Sequence, residues 1–539
     1  MFLSYTPNIT CKKHIRVCNL GAEERGIRKM EATLKTDAIA YLRPVVETSF
    51  TQEETQEAIV PDTYPDMAHV LDVSGKVIVK SKEADLGRVS LSGTILVNVL
   101  YQAEEGEGVY SLDIPIPFTG GLDAEEITDE TKVHLQAALQ SADARMINSR
   151  KILVRADLLV EVLGFEPSVF MSTTELEDDA GAALHVQRDE LHINLVTAVH
   201  EKTFVLADDF PMPAGKPPAH EILKTRVRLV NEDVKHVGNK LIFKGYAGVS
   251  VLYKTEGTGE VFPADFTASF SQIMELEEEG AEKSFDLSFM LSNIYVETIS
   301  TEGGGFGIEL HLVAQAIEKA GFTPQFLADA YSTKYEVESH VTEQHLEHID
   351  KREQITAELR ESIEVTGGVM RVIDASVYLG KVHTGQEGGE TKLNTAVFLS
   401  VLYVTEEGEI QGLTRRFETS SSFETRSNRI YQASALLAGD IQVLPGASGL
   451  EVRVPIEFCV ASRQKLRFQA VERISWEAEH MRDIGALPSV VLYHAQGGES
   501  LWYMAKRYCS TQEQITLANN LEEGMVPYPG QLFIIPKAR

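Results

Sequence analysis

The chain has 539 residues, of which 43% are hydrophobic and 24% charged, a balance that is typical of folded domains and excludes wholesale disorder. At ~150 residues per domain, this length predicts three to four domains. Acidic residues exceed basic ones by 30. So negative a surface repels phosphate backbones and anionic lipid, which disfavours nucleic acid and membranes as partners.

The first 29 residues differ in charge from the rest, because they hold six basic and two acidic side chains. Two interpretations stay open: a basic tail, or a misread extension in front of a true start at Met30.

Four cysteines do not make a disulfide framework, which favours a reducing, intracellular setting. No apolar run approaches the ~20 residues of a membrane span, and the N-terminus lacks an unbroken signal-peptide core.

An internal repeat follows. The tripeptide Val-Leu-Tyr ends at Tyr101, Tyr253 and Tyr403, which are 152 and 150 residues apart. Each copy closes a stretch with strand character, and a short acidic turn with glycine comes next, which is typical of a hairpin. Prolines precede the first two copies, at Pro61 and Pro65 and at Pro213 and Pro217, whereas the third copy lacks them.

A second strand signal keeps step with the first. Apolar residues alternate over six positions beginning at Ile152, Phe306 and Leu450, which predicts strands with one buried face. We therefore predict a mainly β protein with three tandem β-rich repeats at 30–180, 181–330 and 331–465. We expect these repeats to fold as separate beads joined by polar linkers near 175–181 and 333–350, with a third linker at 466–488.

The last residues, 489–539, have a different pattern. A short strand at Val490–Tyr493, a helix from Ser500 to Tyr508, a second helix capped by Ser510 or Thr511 and a closing strand at Gln531–Ile535 predict a small βααβ unit.

This unit resembles a LysM domain. The resemblance rests on these residues: Tyr493, Gly498-Glu499-Ser500-Leu501-Trp502, Ala505-Lys506-Arg507-Tyr508, Asn519, Tyr528-Pro529-Gly530-Gln531 and Ile534-Ile535-Pro536. It implies binding of N-acetylglucosamine glycans such as peptidoglycan in a groove between two loops. The implied groove residues are Gly498, Glu499, Ser500, Leu501, Asn520, Leu521, Tyr528, Pro529 and Gly530. Glu499 and Cys509 depart from the usual Asp and Gly.

The whole arrangement of repeats and C-terminal unit is similar to the SPOCS-domain proteins of spore-forming bacteria. This resemblance implies a non-enzymatic scaffold in the mother-cell cytoplasm, at the surface of the forespore and its coat. It implies spore coat morphogenetic proteins as partners, including a coat ATPase that the LysM domain engages. Self-assembly through strand edges is also open.

Motifs for catalysis are missing from the sequence. It has no P-loop, no H-E-x-x-H and no G-x-S-x-G, so we predict no enzyme activity and no cofactor. His340, His345 and His348 form one histidine cluster, interpreted as part of a polar linker helix rather than a metal site. The alternative function is a peptidoglycan-binding cell-wall protein with an unrecognised activity in the repeats.

Overall fold

The computed structural model describes residues 29–104, 108–255, 259–277, 283–299, 304–350, 352–522 and 525–538. The predicted basic segment therefore lies outside the described residues except for Lys29, which pairs with Glu338 at 2.9 Å. No helix in these ranges is long and apolar enough to cross a membrane.

The described residues are mainly β, as predicted. The strands of the first repeat are β1 Lys29–Glu31, β2 Thr33–Ile59, β3 Met67–Asp85, β4 Arg88–Ala103, β5 Val109–Asp123, β6 Lys132–Asn148 and β7 Lys151–Asp178. Those of the second are β8 Leu184–Glu190, β9 Ile193–Pro211, β10 Ala219–Val237, β11 Lys240–Thr255, β12 Val261–Glu275, β13 Lys283–Thr298, β14 Gly305–Phe322 and β15 Gln325–Ser332.

The strands of the third repeat are β16 Tyr335–Ile349, β17 Glu353–Glu364, β18 Arg371–Leu379, β19 His383–Glu387, β20 Glu390–Val404, β21 Ile410–Glu424, β22 Arg429–Leu437, β23 Gln442–Pro445 and β24 Gly449–Met481. A 3-10 turn, Ile484–Ala486, leads to the C-terminal unit. That unit holds β25 Val490–His494, α1 Leu501–Tyr508, α2 Gln512–Asn519 and β26 Leu532–Pro536.

Each repeat is a sandwich of two antiparallel sheets. One sheet is a meander: β3-β4-β5, β10-β11-β12, and β18-β20-β21, where β19 also pairs with β20. The other joins a strand that precedes the meander to two strands that follow it: β2-β7-β6, β9-β14-β13 and β17-β24-β22. The alternating apolar residues that begin at Ile152, Phe306 and Leu450 are at most 3% exposed and line three cores, one per repeat.

The Val-Leu-Tyr tripeptide lies on the middle strand of each meander, with its side chains on two faces. Tyr101 and Tyr253 are fully buried in the cores of their own repeats. Their hydroxyls donate to the carbonyls of Pro65 (3.2 Å) and Pro217 (3.0 Å). The tyrosine thus fixes the proline-rich entry to the meander, which explains why the two sequence signals recur together.

The leucines of the same tripeptide point the other way, into a fourth apolar cluster that the three repeats share. Its buried members are Leu71, Leu100, Val109, Leu223, Leu252, Val261, Ile373, Leu402 and Val404. Beside it, Lys224 donates to Asp72 (2.6 Å) and to Asp374 (2.8 Å). Asp72, Lys224 and Asp374 occupy equivalent positions of the three meanders, so the repeats surround a pseudo-threefold axis. We call these three residues the axial triad.

The expectation of separate beads joined by polar linkers is therefore wrong. The stretch 175–181 is largely the end of β7, 333–350 is largely β16, and residues 466–481 complete β24. These segments are polar because one face of each strand is exposed, while their backbone groups pair with neighbouring strands. A polar strand and a polar linker look alike in sequence.

The histidine cluster is also corrected. His340, His345 and His348 lie on strand β16, not on a helix. Side chains three residues apart on a strand point to opposite faces, so His345 and His348 do not share a face. His348 instead accepts from the backbone of Asn194 (2.8 Å) and lies 3.2 Å from Asp350. The described residues contain no group of three or more His, Cys, Asp or Glu placed to hold a metal.

Candidate functional site

The C-terminal unit has the predicted order of strand, helix, helix and strand. Ser500 caps α1 by accepting from the backbone of Tyr503, and Thr511 caps α2 by accepting from that of Gln514. Of the two predicted capping residues for α2, Thr511 is the one used. Cys509 and Asn520 end the helices in the left-handed conformation (φ 52° and 50°), so the departure at Cys509 keeps the backbone turn that glycine usually provides.

Backbone hydrogen bonds join the two loops that are predicted to flank the groove. Gly530 N–H donates to the Ala495 carbonyl (2.8 Å), and Ala495 N–H donates to that of Gln531 (2.9 Å). Gly498 and Gly530 both have φ of +83°, a conformation that side chains other than glycine rarely adopt. The loop after β25 and the loop before β26 therefore meet at one end of the small sheet, as a groove between them requires.

Glu499 holds the first loop in shape. Its carboxylate accepts from the backbone of Gln496 (2.8 Å) and from the hydroxyl of Tyr493 (2.7 and 2.9 Å). These two interactions lower the pKa of Glu499. The same bond to Glu499, with burial, raises the pKa of Tyr493 to about 12. An ionised Glu499 thus stabilises the turn through both bonds, and the loop is ordered by local contacts despite the departure from Asp.

The nine predicted groove residues differ in exposure. Gly498, Ser500, Asn520, Tyr528, Pro529 and Gly530 are exposed, whereas Glu499, Leu501 and Leu521 are half-buried. The two leucines pack against the core of the unit. Tyr528 is 59% exposed and is the aromatic ring on the second loop that is free to stack on a ligand. Which of the nine bind a ligand stays a prediction.

Two exposed apolar residues of the second loop were not predicted. Val526 is 78% and Met525 36% exposed, next to Tyr528 in the chain. An exposed apolar loop is a feature of contact sites. The sequence could have indicated it, since Met525 and Val526 stand in a turn-rich segment where apolar residues serve no strand or helix.

Trp502 is buried, but part of its contact comes from outside the unit. Its indole N–H donates to Asp329 (2.8 Å), and its ring lies edge-on to Tyr331, with centroids 4.8 Å apart. Lys506 also binds Asp329 (2.7 and 2.8 Å), and the Tyr331 hydroxyl donates to the Ser510 carbonyl (2.9 Å). We call this the α1–β15 contact. It fastens the unit to the repeats while both groove loops stay exposed.

Comparison with known families agrees with this architecture. A family described as "SipL, SPOCS domain" matches residues 66–147 and 218–299, and one described as "LysM domain" matches residues 493–536. No curated protein and no solved structure shows significant similarity to the chain. The two SPOCS matches begin at the proline-rich entries and include the meanders of the first two repeats. The third repeat is like them in its topology.

These domains fit a spore-associated, peptidoglycan-binding scaffold, and SipL-type and LysM domains are generally non-catalytic. In its domains the chain is therefore similar to SPOCS-plus-LysM proteins of the SipL type.

Proposed function

We propose that the protein is a non-enzymatic scaffold of spore coat assembly, located on the mother-cell side of the forespore. In this proposal, the repeats contact coat morphogenetic proteins and the LysM domain docks the scaffold to a coat morphogenetic ATPase or to peptidoglycan. The observation that carries it is the α1–β15 contact. It fixes the orientation of the groove relative to a large β body, as a localising adaptor requires.

Two classes of ligand could bind in the groove, a glycan and a protein. An N-acetylglucosamine glycan would stack on Tyr528 and bind backbone groups of the loops around Gly498 and Gly530. A protein partner would use the apolar surface of Met525, Val526 and Tyr528, with the half-buried Leu521 at its base. The exposed apolar side chains favour protein, because they add area for contact that a sugar does not need.

The test compares two ligands on the full chain: a chito-oligosaccharide and the coat ATPase. We expect the ATPase to bind and the Tyr528→Ala variant to lose that binding. Glycan binding in the micromolar range with no ATPase binding would contradict the protein-docking part. Recovery of the protein in the vegetative wall rather than in the spore fraction would contradict the coat location.

A further inference from the structure

The two-stranded sheet of the LysM domain has one open edge. β25 and β26 are antiparallel, with Val490 opposite Pro536, Leu492 opposite Ile534 and His494 opposite Leu532. The bonds between the strands use the alternate residues, since Lys537 donates to Ser489 and Ala495 to Gln531. In such a pair the intervening residues direct their N–H and C=O groups away from the partner. On β25 these residues are Val490, Leu492 and His494.

The corresponding edge of β26 is closed. The side-chain amide of Asn519 accepts from Ile534 N–H (2.7 Å) and donates to the Ile534 carbonyl (2.6 Å). Asn519 thus occupies the place that a third strand would take. Among the described residues, no other strand pairs with β25. One edge of the sheet is protected and the other presents unpaired backbone.

The open edge coincides with an apolar face. Side chains of the same alternate residues cover the side of the sheet away from the helices, and four of them are large and exposed. Leu492 is 67% exposed, Val490 and Leu532 are each 51%, and Ile534 is 40%. Unpaired backbone beside exposed aliphatic side chains is the combination used by proteins that bind an extended segment as an added strand.

We propose that β25 is a docking site for an extended segment of a basic partner protein, which adds to the sheet as a third strand. Alternate aliphatic residues of that segment would lie beside Val490 and Leu492, while its backbone pairs with Val490, Leu492 and His494. Residues 489–539 hold four acidic and four basic side chains, so the net charge of −30 lies in the β body to which the unit is fastened. At low salt this charge favours a basic segment and disfavours a second copy of this chain. The site lies on a different surface from the groove, so its existence does not depend on what the groove binds.

The probes are two short peptides, one of alternating lysine and valine and one of alternating glutamate and valine. Amide hydrogen exchange of the full chain is measured with each. We expect the lysine peptide to slow exchange at residues 490–494 and to bind at least about tenfold more tightly than the glutamate peptide at low salt. No slowing at 490–494, slowing at 520–531 instead, or equal binding of both peptides would overturn the proposal.

Two variants separate backbone pairing from adhesion to an apolar surface. Leu492→Pro removes an N–H that faces away from β26, a place where edge strands tolerate proline, and should weaken the lysine peptide by about tenfold or more. Leu492→Thr keeps that N–H and should weaken it less; the reverse order would contradict strand addition. If Leu492→Pro does not fold, the exchange measurement on the unaltered chain still decides. Slowing at 490–494 that grows with protein concentration without peptide would mean that a second copy is the occupant, against the proposal.

Discussion

The substitution Lys224→Met tests how the repeats are held together. Lys224 is 4% exposed and is the cation between Asp72 (3% exposed) and Asp374 (13%). Burial disfavours its charge, but attraction to Asp374 and Asp72 outweighs burial and raises the pKa of Lys224. Burial likewise opposes ionisation of Asp374, but Lys224 and Arg226 lower its pKa. Lys224 and Asp374 are therefore both ionised in the folded protein at neutral pH.

Methionine fills the volume of the lysine stem but leaves two buried carboxylates without their shared cation. Removing one partner of a buried ion pair costs about 3–5 kcal/mol, and we expect a loss of that size in the free energy of unfolding at pH 7. It is measured by urea denaturation followed by far-UV circular dichroism. Lys235→Met is the matched control, since Lys235 lies on the same strand, is 67% exposed and pairs with Asp233 at 2.9 Å. An exposed pair contributes about 0–1 kcal/mol.

The pH dependence gives a second signature. A lowered folded pKa means that Asp374 stabilises the native state above its unfolded pKa of ~3.9 and that this contribution is lost as pH falls through the folded value. Because the pKa of Lys224 is raised, its contribution to the stability of the native state is lost only above its unfolded pKa of ~10.4. The loss in the free energy of unfolding caused by Lys224→Met should therefore be largest between about pH 4 and pH 10. It should become smaller below pH 4. A deficit below 1 kcal/mol at pH 7, or one that is the same at pH 3 and pH 7, would refute the axial role.

Three further predictions concern other contacts. Asp329→Ala removes the acceptor that Trp502 and Lys506 share and should speed hydrogen exchange in α1 and β15. The control, Glu190→Ala on the neighbouring strand β8, should not change this exchange. Exchange in Asp329→Ala equal to that of the parent chain would mean that the α1–β15 contact does not fasten the domain. Tyr528→Ala should weaken groove binding by about 1–3 kcal/mol, and Tyr503→Ala, 45% exposed on α1, should leave it unchanged. Burial raises the pKa of Glu161, so the stability of the folded state falls as pH rises through that pKa. The free energy of unfolding of Glu161→Gln should therefore exceed that of the parent at pH 8 but not at pH 4. A difference that is independent of pH would contradict this.

The sequence predicted the cores but not their association. Alternation beginning at Ile152 defines a buried face because every second residue is apolar, and this is a local signal. Leu100 alternates with Val99 and Tyr101, and its side of the strand would ordinarily face water. It is buried instead in the shared cluster, most of whose members come from the other two repeats. The alternation along β4 does not reveal this burial, because the second face of the strand is apolar only near Leu100. The residues that cover it are distant in the sequence.

The C-terminal domain shows the same limit. Its helices, caps and turn glycines were predicted because each depends on a few neighbouring residues. Trp502 was recognised as part of the domain pattern, and it is buried. Its partners Asp329 and Tyr331 lie far away in the sequence, on a strand that was not assigned. Asn519 was recognised as part of the domain pattern, but its role in closing the edge of β26 needed the structure.

The axial triad also bears on why the three repeats cannot be identical. Residues at equivalent positions around a threefold axis must approach one another, and in a buried site three aspartates or three lysines would leave like charges uncompensated. One cation between two carboxylates resolves this, and Ser400 adds a hydrogen bond to Asp72. The third repeat thus supplies an acid as the first does, and only the second supplies the base. If this asymmetry sets the order of the repeats, the double variant with Asp72→Lys and Lys224→Asp should lose less free energy of unfolding than either single variant. The reason is that the double variant restores one cation and two carboxylates at the axis. A double variant as unstable as the sum of the two single variants would show that the local partners, Ser400 and Arg226, fix the order instead.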